Sequence, residues 1–277
     1  VIMGKIQFTK MHGLGNDYIY INVSENKDLK EIFTRYKVGA LVRYLSNRNF
    51  GIGGDGVIFI ENSLIADFKM RIFNSDGTEA EMCGNGIRCF AKYVYEKNMI
   101  KNKLIKIETL AGIKEAEIIE NNKKEIEEIK INMGKAKIQN NINIKIQDKN
   151  FEINRISMGN PHAVIFVPDV ENVPIEEYGP IIENHKYFPF KTNVEFVQIL
   201  ERNLIKLRVW ERGSKETFAC GTGSCAAVVA GIKNKLLKNE VKVLLKGGEL
   251  KIKVDEKTKK IYMQGIATKV FEGEIYV

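Results

Sequence analysis

Two short stretches carry the chemistry most easily read from this chain: MCGNGIRC at 82–89 and ACGTGSC at 219–225. In each, a cysteine precedes Gly-x-Gly and then a run of helical character, so Cys83 and Cys220 stand at the mouths of two helices. A sulfur so placed faces unpaired backbone N–H groups and the positive end of the helix dipole. That setting is expected to lower the thiol pKa and favour the reactive thiolate. A single such thiol suits a nucleophile, which wants a histidine held by a third group. Two matched thiols suit a different task, inversion of a stereocentre, where a base takes a proton from one face of a carbon and an acid returns one to the other. The glycines allow bare amides to approach an anion. GNG and GTG can therefore hold a carboxylate while negative charge spreads into it from the α-carbon. No phosphate-binding motif accompanies them, and this scheme requires no cofactor.

Other uses of the cysteines fit less well. Structural zinc sites favour cysteines two to four residues apart with further Cys or His. Here the spacings are C-x5-C (Cys83, Cys89) and C-x4-C (Cys220, Cys225), each second cysteine falls within a helix, and His12, His162 and His185 are scattered. No metal is expected. Four cysteines without a secretion signal point to a reducing cytosol, where a Cys83–Cys220 disulfide would be an oxidation product. Cys89 and Cys225 read as small core residues. GIGGDG at 51–56 is a literal G-x-G-x-x-G, but a strand-like VIFI follows where a dinucleotide site needs a helix, so it reads as a tight turn.

The elements that must position these groups are mostly strands. Runs rich in Ile, Val, Phe and Tyr occur at 5–11, 18–23, 56–60, 68–74, 103–110, 162–167, 194–200 and 205–211, separated by Gly, Asn and Asp turns. Buried helices are predicted over 85–98 and 222–237, a shorter one near 28–47 and a surface one near 175–184. The chain also repeats itself. GNDYI at 15–19 parallels GNPHAV at 159–164, GGDGVIFI at 53–60 parallels TNVEFVQI at 192–199, and RIFNSDGTEAEMCGNG at 71–86 parallels RVWERGSKETFACGTG at 208–223. Two related halves, each around one central helix, are expected, with the crossover near 112–130.

Composition sets the bounds. The 277 residues suffice for one large or two medium domains, and 44% hydrophobic with 28% charged residues is ordinary for a soluble globular protein. The net charge of +8 comes from lysines interleaved with glutamates, as in NNKKEIEEIK at 121–130, which describes a solvated surface rather than a nucleic-acid site. The longest apolar run, CAAVVAGI, is too short to span a bilayer. No signal peptide is evident in VIMGKIQF, so a cytoplasmic location is expected.

GLGNDY at 13–18, FNSDGTEAEMCGNGIRC at 73–89, SMGNPHAV at 157–164, TNVEF at 192–196 and WERGSKETFACGTGSC at 210–225 together resemble the diaminopimelate epimerase family, from about Lys5 to the C-terminus. The resemblance implies an isomerase that interconverts LL- and meso-2,6-diaminopimelate without a cofactor, in lysine and peptidoglycan precursor synthesis. It implies an α+β fold of two pseudo-symmetric domains, each a mixed, mostly antiparallel sheet around a central helix, and a cytoplasmic homodimer. The halves would be 1–125 with 266–277, holding Cys83, and 126–265, holding Cys220. Carried over by position, Cys83 and Cys220 would be the acid–base pair. Gly84, Asn85, Gly221 and Thr222 would hold the reacting carboxylate. Asn16, Asn74, Asn160, Asn193, Glu211 and Arg212 would bind the rest of the substrate, while His162 and Glu211 tune the thiols. Gly56 stands where some members carry glutamine. The competing readings are a related two-cysteine racemase or epimerase, either of the proline branch, whose first motif resembles MCGHG rather than MCGNG, or acting on a diaminopimelate analogue, and, from another class, a thiol-based binding or redox-sensing protein.

Overall fold

The computed structural model describes residues 4–26, 28, 29, 32, 33 and 37–277. In chain order the elements are β1 (Lys5–Gly13), β2 (Asn16–Asn22), α1 (Val38–Ser46), β3 (Gly56–Glu61), β4 (Phe68–Asn74), β5 (Glu79–Ala80), α2 (Gly84–Glu96), β6 (Leu104–Thr109), β7 (Gly112–Glu120) and β8 (Ile126–Gly134). They continue with β9 (Lys137–Ile138), β10 (Ile142–Ile146), β11 (Lys149–Ser157), β12 (Pro161–Phe166), α3 (Ile175–Glu183), β13 (Asn193–Glu201), β14 (Leu204–Glu211) and β15 (Lys215–Thr217). The chain closes with α4 (Gly221–Lys233), β16 (Glu240–Leu245), β17 (Gly248–Val254), β18 (Ile261–Gly265) and β19 (Thr268–Tyr276). It divides into two units, Val1–Ile131 with Ile266–Val277, and Asn132–Gly265, so the chain changes unit within β8.

In the first unit the strands run in the order β19–β1–β2–β3–β4–β6–β7–β8. Only β2–β3 and β4–β6 are parallel among these pairs. The second unit repeats the plan as β10–β11–β12–β13–β14–β16–β17–β18, with β12–β13 and β14–β16 parallel. A parallel step needs a long connection. The step from β4 to β6 and that from β14 to β16 use it to accommodate α2 and α4, the helices that begin at the two cysteines.

Alternation along the central strands assigns their two faces. In β3, Val57 and Phe59 pack with Leu41, Val42 and Leu45 of α1, whereas Ile58 points to α2, its Cδ1 lying 2.8 Å from where a Cβ on Gly86 would be. In β13, Val194 and Phe196 pack with Ile175, Tyr178 and Ile182 of α3. The intervening residue of that strand, Glu195, faces α4. Burying each large apolar side chain contributes about 1.5–3 kcal/mol, so each sheet is clamped on both faces. Both central helices also end alike. Asn98 and Lys235 take positive φ, 55° and 60°, while Met99 N donates to Val94 O and Leu236 N to Gly231 O, which satisfies carbonyls of the last turn.

All eight predicted strands are present, and so are the buried helices. The second helix stops at Lys233 rather than 237, because the left-handed Lys235 turns Leu237 back onto Gly231. The 112–130 segment, where the crossover between halves was expected, is the β7–β8 hairpin, closed by a turn at 121–125, and the chain changes unit just after it, at Ile131. Of the helix predicted near 28–47, α1 occupies Val38–Ser46; residues 30, 31 and 34–36 lie outside the described residues. The internal repeat needs a change of register. Tyr18 pairs with Gly56 as His162 pairs with Asn193. Gly56 therefore corresponds to Asn193 and Ile58 to Glu195, two positions away from the alignment read off the sequence.

Candidate active site

Each cysteine is the N-cap of its central helix. Cys83 (φ −134°, ψ 122°) and Cys220 (φ −119°, ψ 110°) are extended, and each sulfur accepts a hydrogen bond from the third amide of its helix, Gly86 N and Gly223 N, both at 3.4 Å. Sulfur thus takes the part that a serine or aspartate oxygen commonly plays. The first two amides of each helix, at Gly84 and Asn85 and at Gly221 and Thr222, have no acceptor within the helix. None of the four cysteines is in a disulfide, and Cys89 and Cys225 are buried in the cores.

In the first unit, the Cys83 thiol donates to Asn16 Oδ1 at 3.2 Å. The other end of that amide, Nδ2, donates to Asp55 Oδ2 at 2.8 Å. Asp55 also accepts from the Asp17 amide and from Arg48. Arg48 grips Asp17 with both terminal nitrogens, and the buried Lys10 ammonium lies 2.6 Å from Asp17. Burial pushes the Asp17 carboxyl up, but Arg48 and Lys10 together hold it below its ordinary 3.8. The turn at 51–56 is therefore a tight turn, as read, and also the platform that carries Asp55. At Gly51 a Cβ would lie 2.1 Å from Tyr44 O, which excludes any side chain. Behind Cys83 stands the Tyr18 phenol, raised well above 10.0 by burial and then by the Cys83 sulfur, so it stays neutral. Asn85 is buried, with Oδ1 accepting from Arg88 Nη2 at 3.0 Å, and the fully buried Arg88 also donates to the carbonyls of Gly84 and Ile266. Asn74 closes β4 and bonds Thr78 through both its backbone N–H and its side chain.

In the second unit a continuous chain of polar groups leads to Cys220. His162 Nδ1 lies 2.6 Å from Glu195 Oε1, and His162 Nε2 lies 3.1 Å from Asn160 Oδ1. Asn160 Nδ2 donates to Thr222 Oγ1 at 3.3 Å, and Thr222 Oγ1 is 3.5 Å from the Cys220 sulfur. Glu211 faces the same sulfur and accepts from Thr217 Oγ1 at 2.5 Å. Its carboxyl is raised by burial, with Thr217 and Cys220 opposing. Asn193 donates to Pro161 O and accepts from Arg212 N, which fixes the corner after β14. The exposed Arg212 guanidinium donates to Phe190 O at 3.2 Å.

One expectation is reversed here. The helix mouth was expected to lower the thiol pKa, yet Cys220 lies well above its ordinary 9.0. Burial contributes most, then Glu211 and Glu195; the Thr222 hydroxyl and Gly223 amide pull the other way without prevailing. A nearly dry sulfur flanked by carboxylates keeps its proton. Cys220 is 5% exposed.

Asp55, Arg88, Thr217 and Glu195 were not singled out in the sequence. Asp55 sat inside a glycine turn, and Glu195 sat in a strand where a glutamate reads as solvent-facing. Arg88 could have been noticed as a charge within an otherwise apolar helical run.

The fold, two sheet-wrapped helices in repeated halves, is that of the epimerases related to proline racemase and the PhzF proteins. A Bacillus anthracis protein of the phenazine biosynthesis PhzF family superposes with TM-score 0.75 at 17% identity, covering 99% of each chain. An Agrobacterium vitis hydroxyproline epimerase does so with TM-score 0.73 at 13% identity, covering 99% of this chain and 93% of the other. Sequence narrows the class. The profile of the diaminopimelate epimerase family matches residues 8–139 and 155–270. The diaminopimelate epimerases of Halothermothrix orenii and Agathobacter rectalis are 48% and 47% identical to this chain, covering 99% and 98% of it and 99% of their own lengths. That of Methanococcus maripaludis is 46% identical over 98% of this chain and 99% of its own. The chain belongs to the diaminopimelate epimerase family, and it is an isomerase of the epimerase type.

Proposed function

We propose that this chain interconverts LL- and meso-2,6-diaminopimelate by proton transfer at one α-carbon, with Cys83 and Cys220 as the acid–base pair and no cofactor. The observation supporting this most strongly is the duplicated cap, a cysteine sulfur 3.4 Å from the third amide of each central helix. In the reaction the α-C–H bond breaks and its proton passes to one sulfur, present as thiolate. The electron pair left on carbon spreads into the carboxylate. The other thiol then gives its proton to the opposite face. The first-turn amides at Gly84 and Asn85, and at Gly221 and Thr222, are suited to the carboxylate because they are preorganised donors needing no reorientation as charge develops. Asn16, Asn74, Asn160, Asn193 and Glu211 supply donors and acceptors for the rest of a zwitterionic substrate, and Arg212 offers a bidentate carboxylate contact. His162 and Glu211 adjust the proton affinity around Cys220. The reading includes a homodimer working in the cytoplasm, supplying the meso isomer for lysine and peptidoglycan precursors. Among the described residues no helix is long and apolar enough to cross a membrane.

The test is conversion of stereopure LL-diaminopimelate followed by chiral chromatography. Meso product is expected from the wild type, and Cys83→Ala and Cys220→Ala should each lose about 10²–10⁴-fold in rate. Full activity in either variant contradicts the two-thiol mechanism. Activity on another amino acid with none on diaminopimelate contradicts the substrate.

A further inference from the structure

The two halves follow one plan, but they differ behind their thiols. Where the first unit places Tyr18 and Ile58, the second places His162 and Glu195. Glu195 is fully buried on β13, beneath the mouth of α4, and its Oε1 lies 2.7 Å from where a Cβ on Gly223 would be. Its other oxygen, Oε2, is buried without a hydrogen-bond partner among the described residues. The fold does not demand a carboxylate here, because the sister strand is built with isoleucine. Nor, among the described residues, does Glu195 tie several elements together: its side-chain hydrogen bond is to the His162 ring. A buried, half-satisfied carboxylate is destabilising, so its retention calls for a purpose at the ring.

With Asn160 Nδ2 turned to Thr222, Asn160 Oδ1 can only accept, so His162 Nε2 carries a hydrogen. A second hydrogen lies in the 2.6 Å contact between Nδ1 and Glu195 Oε1. The pair thus holds two hydrogens and no net charge, the second hydrogen lying between ring and carboxyl. Nε2–H donates to Asn160 and Nδ2–H to Thr222, and once Cys220 is a thiolate, which can only accept, the Thr222 hydroxyl 3.5 Å away donates to it, so that every donor in the chain then points toward the sulfur.

We propose that Glu195 is a positioning residue for proton transfer at Cys220, acting through His162, Asn160 and Thr222 to direct a charge-assisted hydrogen-bond chain onto the sulfur. Such bonds are roughly twice as strong as neutral ones; they favour the thiolate that Cys220 must become when it takes a proton, against the upward push that the Glu195 charge itself gives that thiol. The titratable groups facing Cys220 are Glu195 on β13, Glu211 on β14 and, through the chain, His162 on β12. This inference rests on Cys220 being a working thiol, but its test requires no turnover, so its failure is separable from that of the epimerase assignment.

The experiment measures the pH dependence of Cys220 alkylation by iodoacetamide, resolved by peptide mass spectrometry, in the wild type, Glu195→Gln and Glu195→Asp. Loss of the chain should make Cys220 of Glu195→Gln react about tenfold more slowly at a given pH, an alkaline shift of about one unit, and Glu195→Asp should recover part of the difference. If Glu195 acted only as a bare negative charge beside the sulfur, Glu195→Gln would shift the profile to lower pH, which would overturn the proposal, as would an unchanged profile. Proton–nitrogen NMR of His162 supplies a second readout: a far-downfield Nδ1 proton in the wild type, lost in Glu195→Gln. Its absence from the wild type also contradicts the proposal. Should Glu195→Gln not fold, Glu195→Ile, which copies the sister strand, takes its place with the same slowing expected.

Discussion

Asn16 is held by Asp55: its Nδ2 donates to Asp55 Oδ2 at 2.8 Å, which leaves Oδ1 facing the Cys83 thiol at 3.2 Å. An amide has two ends of opposite hydrogen-bonding sense, so a carboxylate at one end decides what the thiol meets at the other. In Asp55→Asn the new side chain can donate, and Asn16 is free to turn its nitrogen toward the sulfur. The expected outcome is a loss of about tenfold in kcat/KM, near 1.4 kcal/mol of transition-state stabilisation. Alkylation of Cys83 should quicken in the same variant, since an N–H donor then faces the sulfur. Steady-state kinetics and site-resolved alkylation check the pair, and a variant unchanged in both would refute the orienting role.

The two helix-mouth glycines should not tolerate alanine equally. A Cβ on Gly86 would meet Ile58 Cδ1 at 2.8 Å, the end of a flexible apolar side chain that can swing aside. A Cβ on Gly223 would meet Glu195 Oε1 at 2.7 Å, an atom held by His162. Overpacking of this kind typically costs about 1–3 kcal/mol. Gly223→Ala should sit at the upper end and Gly86→Ala at or below the lower end, as read from urea-unfolding midpoints. The reverse order would mean that the carboxylate is not fixed in place.

The pH dependence follows from the proton count. Under the proposed two-thiol mechanism the reactive enzyme holds one proton between Cys83 and Cys220, so kcat/KM rises as the first thiol ionises and falls as the second does. A thiol whose pKa is raised keeps its proton to higher pH, and Cys220 is raised well above 9.0, chiefly by burial. The falling limb should therefore lie above 9.0. Measuring kcat/KM from neutral pH to about 11 checks this, and a decline that begins below 9.0 would contradict it.

What could be read in advance follows from which signals are local. Cys83 and Cys220, their glycines and their helices stand out because a cap and its first turn are contiguous in sequence and appear twice. The strands that begin at Asn16 and Asn193, and the one that follows Asn160, are marked by alternation and turn residues. Glu195 was hidden because a glutamate in NVEFV looks like the polar face of a half-buried strand. Both faces of β13 are covered, one by α3 and one by α4, and strand-to-strand register, a non-local property, is what sets Glu195 opposite Ile58 in the repeat. The raised Cys220 pKa was missed for a related reason. The helix-mouth effect is local, whereas the burial and the carboxylates that outweigh it are assembled by the tertiary fold. The left-handed stop at Lys235 escaped notice because no glycine marks it.

The central claim is that two separate thiols handle the two faces of the α-carbon. Stereopure LL-diaminopimelate turned over in deuterated water, sampled early by NMR and mass spectrometry, tests it most directly. With two bases, the proton leaving the substrate and the one entering the product belong to different sulfurs. The meso product should then carry deuterium at its inverted carbon while the remaining LL substrate stays protiated there. A product that retains the original hydrogen, or LL substrate that gains deuterium as fast as product forms, would contradict the two-thiol account.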